Sequence, residues 1–194
     1  MAKNKKQKII STATKLFAAQ GFDNTTTLQI AKETGVTEPL LYYHFQGKEE
    51  IFTEIIKGIF QEYSRLLSGL PEETETQFEK INNLMRLHIH IAENRPDEGR
   101  LILANCPGKL KNDTHVCQQI IDKQQEIIAA YLKDCLEKGN ASGEFDAHPV
   151  DHLVIVLLCL INGIFRKKLL GKKEKASYEY TAIEFCHKAL AKKS

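Results

Sequence analysis

Apolar residues in this chain recur at intervals of three and four in one stretch after another, and nowhere do they alternate with polar ones over the length of a strand. That period belongs to one face of an α-helix, whereas a half-buried strand needs a period of two. The predicted fold class is all-α, with about nine helices and no internal repeat. Helix signals set the boundaries. Ile9, Ile10, Ala13, Leu16 and Phe17 mark a first helix over about 4–20, with Gly21 as its left-handed stop. Thr26, Thr27, Leu28 and Gln29 read as a capping box, the Thr26 hydroxyl taking an amide proton while Gln29 reaches back, and open a second helix that stops at Gly35. Thr37 caps a third, with Pro39 in its first turn and an end near Phe45 or Gly47.

From Lys48, the spacing of Phe52, Ile55, Ile56, Ile59, Phe60, Tyr63, Leu66 and Leu67 predicts a long amphipathic helix, closed by Gly69 and Pro71. An acidic patch, Glu72, Glu73, Glu75 and Glu79, leads into a fifth helix carrying Phe78, Ile81, Leu84, Met85, His88 and Ile91. Pro96 starts a short helix broken at Cys106, Pro107 and Gly108. Asp113 caps a long one that stops at Gly139. Pro149 and Asp151 open the most apolar helix, over about 149–166, and a ninth is expected over about 175–191.

With 194 residues, 42% of them hydrophobic, the chain can bury a sizeable core without a metal or disulfide staple. Its longest apolar run, from Leu153 to Ile161, is nine residues and too short to span a bilayer. The lysine-rich start passes from Ile10 into Ser11 and Thr12 rather than into the apolar core of a signal peptide. Five cysteines without a CxxC pair predict a cytoplasmic protein with reduced thiols acting as small buried apolar groups. His88 and His90 are two apart, as are His115 and Cys117, so neither pair shares a helix face and no metal site is expected. No P-loop, GxGxxG, nucleophile with a base or carboxylate pair is found, so neither a cofactor nor an enzyme is expected.

The formal net charge is only +2. Its distribution carries more information, because the first fifty residues hold seven lysines against five acids, with no acid before Asp23, and the remainder is balanced. Beside that excess lie two short helices joined through Gly35. In a helix-turn-helix the first such helix crosses the DNA backbone and the second lies in the major groove. Ala31 lets the helices approach, while Ile30, Val36 and Leu41 fill the small core. Plain helical bundles contain the same hairpin, so the pattern alone leaves an all-α adaptor or enzyme open, with the hairpin merely structural.

The stretch TTLQIAKETGVTEPLLYYHFQGKEEI, from Thr26 to Ile51, resembles the TetR family of one-component transcriptional regulators. The family's pattern is T-x-x-x-I-A-x-x-x-G-V-S-x-x-x-L-Y-x-H-F-x-x-K-E-x-L; here Thr37 stands for its Ser and Ile51 for its last Leu. The resemblance implies a DNA-binding domain over 1–47 and a larger helical ligand-binding and dimerisation domain over 48–194. It implies a ligand-responsive regulator, in most members a repressor that holds a palindromic operator as a homodimer and leaves it on binding a small-molecule inducer.

Carried over by position, Thr26 or Thr27, Tyr42, His44 and Lys48 contact phosphates. Thr37, Glu38, Pro39, Leu40 and Tyr43 face base edges, with Gln29 at the rim of the groove. Hydroxyls, an imidazole and a lysine suit phosphates. The reader helix lacks Arg and Asn, so sequence preference would rest on DNA shape, on thymine methyls against Leu40 or Pro39, and on Glu38 accepting from cytosine N4. The resemblance further implies an effector pocket lined by Phe60, Tyr63, Met85, His88, Cys117, Ile121, Gln124 and Phe165. The dimer interface would lie on the last two helices through Leu153, Val154, Leu157, Leu158, Ile161 and Ile164. The basic cluster Arg166, Lys167, Lys168, Lys172, Lys173 and Lys175 is expected to be a solvated loop.

Overall fold

Nine α-helices follow one another in the computed structural model, which describes residues 2–71, 76–112, 114–146, 149–171 and 178–192. They are α1 (Ala2–Gln20), α2 (Thr27–Thr34), α3 (Glu38–His44), α4 (Lys48–Ser68), α5 (Gln77–Asn94), α6 (Pro96–Ala104), α7 (Val116–Ser142), α8 (Val150–Leu170) and α9 (Tyr178–Leu190), with a 3-10 turn at Gly108–Leu110. Among the described residues the only β-type pairing is an isolated bridge between Phe145 and Ala191, and no helix is long and apolar enough to cross a membrane. The expected all-α class holds. Glu72, Glu73, Glu75, Asp113, Lys172, Lys173 and Lys175 lie outside the described residues.

The chain packs as two compact units, Met1–Tyr63 with Pro96–Lys123, and Ser64–Arg95 with Gln124–Ser194. In the first, α1 packs on α2, α3 and α6. Ile9, Ala13, Ile30, Leu41, Phe45 and Ile51 are its buried centre. The rings of Phe17, Phe22 and Phe52 meet beside them with centroids 5.4 to 5.6 Å apart, a range in which aromatic pairs attract beyond simple burial.

In the second unit, α5 packs on α8 and α9, and α7 supplies Leu132, Cys135 and Leu136 to the same core. Thr76 caps α5 as a local hydroxyl acceptor for the Glu79 amide. A long-range cap reinforces it: the Glu144 carboxylate accepts from the Gln77 and Phe78 amides, each at 2.8 Å. A carboxylate at a helix N-terminus meets both orphan donors and the favourable end of the dipole. The neighbouring Phe145 ring lies over Gly139, where any Cβ would collide with it, so this late turn of α7 requires glycine.

Two expectations about α8 are corrected. The helix does not end near residue 166 but continues to Leu170, so Arg166, Lys167 and Lys168 belong to its last turns and not to a solvated loop. Cations there oppose the helix dipole favourably. Four of the six residues expected at a dimer interface also turn inward. Val154, Leu157, Ile161 and Ile164 are buried in the chain's own core, and Leu153 and Leu158 pack against it half-buried. The face of α8 that reaches solvent instead carries Ile155 and Val156, 60% and 59% exposed, with Cys159, Asn162 and Gly163. On α9 Tyr180 and Phe185 are exposed. A helix apolar all round offers two faces, and its period alone does not say which is buried.

The cysteines depart from expectation too. Cys106 and Cys117 are joined as a disulfide, whereas Cys135, Cys159 and Cys186 are free, the first and last of them buried.

Candidate nucleic-acid interface

Two local caps and one left-handed glycine shape the hairpin. The Thr26 hydroxyl accepts from the Gln29 amide at 3.1 Å and opens α2. Gly35, at φ 72°, reverses the chain while its amide and that of Val36 return to the Lys32 and Ala31 carbonyls. Thr37 then accepts from the Leu40 amide, Pro39 occupies the first turn, and Phe45 leaves the helix in extended conformation with its ring buried. Ile30, Ala31 and Leu41 close the core between α2 and α3; Val36 is half-buried.

What α3 turns outward is Thr37, Pro39, Tyr42 and Tyr43, with Glu38 and Leu40 half-buried. Tyr43 is 79% exposed, an unusual place for an aromatic unless something stacks or bonds to it. Two residues expected at phosphates, Thr27 and Tyr42, meet each other: their hydroxyls are 3.1 Å apart, linking the first turn of α2 to α3. One hydroxyl donates to the other, and each keeps capacity for a further partner.

Three expected contacts are placed differently. Gln29 does not reach back to close a capping box. Its amide pairs with that of Gln20 in both directions, at 2.8 and 3.3 Å, and Gln20 also donates to the Thr25 hydroxyl and the Asn24 carbonyl. This exchange locks α2 onto the end of α1 and occupies both ends of the amide meant for the groove. Lys48 does not extend toward solvent. Its ammonium donates to the carbonyls of Phe22 and Thr25 at 2.9 and 3.0 Å and of Asp23 at 3.4 Å, and sits 4.4 Å over the Phe22 ring. It therefore holds the turn between α1 and α2 by charge-assisted bonds and a cation–π contact. His44 is half-buried with its ring edge-on to Tyr43, and its Nε2 is buried without a hydrogen-bond partner among the described residues.

Leu28 is the residue that sequence reasoning missed. It is 60% exposed in the first turn of α2. The signal was present, since Leu28 falls out of register with the buried Ile30, Ala31 and Thr34. Around these positions Lys5, Lys8, Lys15 and Lys32 are solvent-facing, while Lys6 lies 5.2 Å over the Phe45 ring and 3.8 Å from Glu54. Hydroxyls, exposed rings, leucines and flanking cations can hold a phosphate backbone and touch base edges.

The residues expected at an effector pocket divide between the units. Phe60, Tyr63, Cys117 and Ile121 are buried in the first, Cys117 within the disulfide and so not a free thiol. Met85, His88, Gln124 and Phe165 are buried in the second. There His88 Nδ1 is 2.9 Å from the Leu84 carbonyl and the ring stands edge-on to Phe165 at 6.0 Å. The Gln124 Nε2 group is buried without a hydrogen-bond partner among the described residues.

Burial holds the His88 imidazole below its ordinary pKa of 6.5, against the smaller opposing effect of the Leu84 bond. The unfolded chain therefore takes up a proton at His88 near pH 6.5 while the folded chain does not. This contribution to stability is complete above pH 6.5 and lost as pH falls below it. Urea denaturation at pH 7.5 and 5.5 should show a pH-dependent loss that shrinks in a His88→Gln variant.

The sequence profile described as "bacterial regulatory proteins, tetR family" matches residues 9–55. Among curated relatives, the HTH-type transcriptional regulator RutR of Escherichia coli (strain K12) is 26% identical over 157 residues, covering 79% of this chain and 70% of RutR. Among solved structures, the ketosteroid transcriptional regulator KstR2 of Mycobacterium tuberculosis superposes with a TM-score of 0.80 at 16% identity, over 97% of this chain and 95% of that one. AibR, solved with isovaleryl coenzyme A and operator DNA, has a TM-score of 0.77 at 16% identity, over 96% and 98%. The helix-turn-helix described above lies within the matched residues, and over residues 9–55 the chain carries the sequence pattern of the TetR family of bacterial regulatory proteins.

Proposed function

We propose that this regulator is a repressor that binds a palindromic operator as a homodimer in the cytoplasm and leaves it when a small molecule binds. The observation that carries the DNA reading is the outward face of α3, where Thr37, Pro39, Tyr42 and Tyr43 stand exposed on a short helix fixed by its own caps. In this reading residues 1–47 carry DNA binding and 48–194 carry effector binding and dimerisation. Thr26, Thr27 and Tyr42 serve phosphates, and Thr37, Glu38, Pro39, Leu40 and Tyr43 face bases, while His44, its Nε2 buried, packs against Tyr43. Lys48 and Gln29 act as positioning residues, since their polar groups are engaged within the unit. Release requires only that the effector favour one position of α4 over another, with a coupling of about 1 to 3 kcal/mol. Buried His88 and the unpartnered Gln124 amide support an effector site in the second unit, where a ligand acceptor would satisfy that amide. In AibR the bound partners are isovaleryl coenzyme A and operator DNA.

A reader helix this short touches few base pairs, so two copies are needed for a palindrome. The exposed Ile155, Val156, Tyr180 and Phe185 supply an apolar face for the second copy. Ile155→Asp should place an unpaired charge there. Sedimentation equilibrium is expected to show a monomer, with loss of duplex affinity of about a hundredfold from separating the half-sites. An unchanged dimer would reject this face. The DNA reading itself is tested by selecting duplexes from a random library and titrating the salt dependence of binding.

A further inference from the structure

The five cysteines fall into three chemical situations. Burial pushes the Cys135 and Cys186 thiols up to about 11, so both remain protonated and unreactive in the core of the second unit. Cys159 is an exposed thiol on α8. Cys106 and Cys117 alone are bonded, across a Cα separation of 6.5 Å that suits a disulfide. Their bond ties the segment just after α6 to the first turn of α7. Asn105, beside it, is held at φ 59°, the one non-glycine in the left-handed region among the described residues. The first turn of α7 is braced further by the Cys117 amide donating to His115 Nδ1 at 3.1 Å.

The location gives this bond a consequence. α6 packs on α1, and α1 packs on both α2 and α3, so the bond anchors the end of a helix that supports the outward-facing hairpin. All of these elements belong to the same compact unit. Leu101 on α6 and Leu110 after it are buried, so this support is part of the unit's core rather than a loose loop. A disulfide in a protein that works at the chromosome meets thiol reductants, and bonds there are typically transient and used for catalysis or sensing.

We propose that Cys106 and Cys117 form a reversible thiol–disulfide site at which a dithiol reductant controls how firmly α6 is held on α1, and through α1 the affinity of the reader helices for DNA. The encounter with cellular reductants and the effect on DNA affinity rest on the DNA reading; the coupling of the bond to α6 and α1 does not. A thiolate of the dithiol attacks the sulfur of Cys106, the residue that is 5% exposed where Cys117 is at 0%. The S–S bond breaks with its electron pair leaving on Cys117 Sγ, which takes a proton. The second thiolate of the reductant attacks the mixed disulfide, closes a cyclic disulfide and releases Cys106, which is protonated in turn. Two electrons and two protons pass from the dithiol to the protein. An oxidised dithiol runs the sequence backwards.

The test uses the full chain equilibrated in mixtures of reduced and oxidised dithiothreitol, under native conditions. Alkylation and mass measurement should show two thiols appearing together in one two-electron step. Amide exchange in 96–104 and in the facing part of α1 should speed by about tenfold on reduction. Affinity for a library-selected duplex should weaken by about threefold as the preorganised support is lost. A folded Cys106→Ser/Cys117→Ser variant should show the reduced-state values and no response to dithiothreitol. If it does not fold, the wild-type titration still decides. A pair that reduces only on unfolding, or that reduces with exchange in α6 and α1 unchanged, overturns the proposal. If no duplex binds in either redox state, the DNA reading fails, and the exchange measurement still judges the switch.

Discussion

Lys168→Met is expected to lower the stability of the folded chain by about 2 to 3 kcal/mol in urea denaturation at pH 7, because it takes the bonded cation from a sheltered carboxylate. Lys168 on α8 is bonded to Glu179 on α9 and lies 2.7 Å from Glu93 on α5, so one ammonium joins three helices of the second unit. The Glu179 and Glu93 carboxylates, in that order, hold the Lys168 ammonium well above the usual lysine range. The two partners differ in worth. Glu93 is half exposed and adds little, as exposed pairs do, whereas the Glu179 side chain is only 10% exposed. Removing the lysine takes away the cation bonded to Glu179, and the loss falls below that of a fully buried pair because Lys168 itself keeps a quarter of its side chain in water. A second substitution distinguishes charge from packing. In Lys168→Met/Glu179→Leu the sheltered carboxylate is gone and only the half-exposed Glu93 loses its cation, so most of the lost stability should return. If the double variant is as unstable as the sum of the single ones, the pair is not the source of the loss.

Lys48→Ala should destabilise the first unit by about 2 kcal/mol even with no DNA present, through loss of charge-assisted bonds to the turn between α1 and α2. A lysine serving only as a phosphate contact predicts something else: an unchanged melting temperature and a salt slope of duplex binding reduced by about one. The geometry favours the first outcome, because the ammonium points at the Phe22, Asp23 and Thr25 carbonyls and the Phe22 ring. Lys48→Arg should not restore it. A planar guanidinium does not replace a compact ammonium among three converging carbonyls. Thermal melts of the free protein, paired with duplex titrations at several salt concentrations, separate the two roles.

Local signals were the legible ones. Thr26, Gly35, Thr37 and Pro39 act within four residues of themselves, so their caps and turn could be read from spacing and were found in place. What escaped the reading depends on residues far apart in the chain. Lys48 bonds to carbonyls 23 to 26 positions earlier, and Glu144 caps a helix that begins 67 positions before it. Gln29 illustrates the competition: a capping box predicts a bond back to Thr26, but Gln20 from the preceding helix takes the same amide in both directions. Cys106 and Cys117 lack any motif spacing and meet because the chain turns back after α6. On α8 the apolar content was evident while the choice of face was not, since Ile155 and Val156 differ from Val154 and Leu157 in burial and not in chemistry.

The exposed face of α3, beside the lysines of α1, is expected to hold duplex DNA. Fluorescence anisotropy with a duplex selected from a random library, titrated between low and physiological salt, tests it most directly. Binding should be tight at low salt and fall linearly on a log–log scale as salt rises, by at least about tenfold over that range. Tyr42→Phe should weaken all duplexes alike, while Leu40→Ala changes the preferred sequence. Absence of duplex binding at low salt, or binding indifferent to salt, would contradict it.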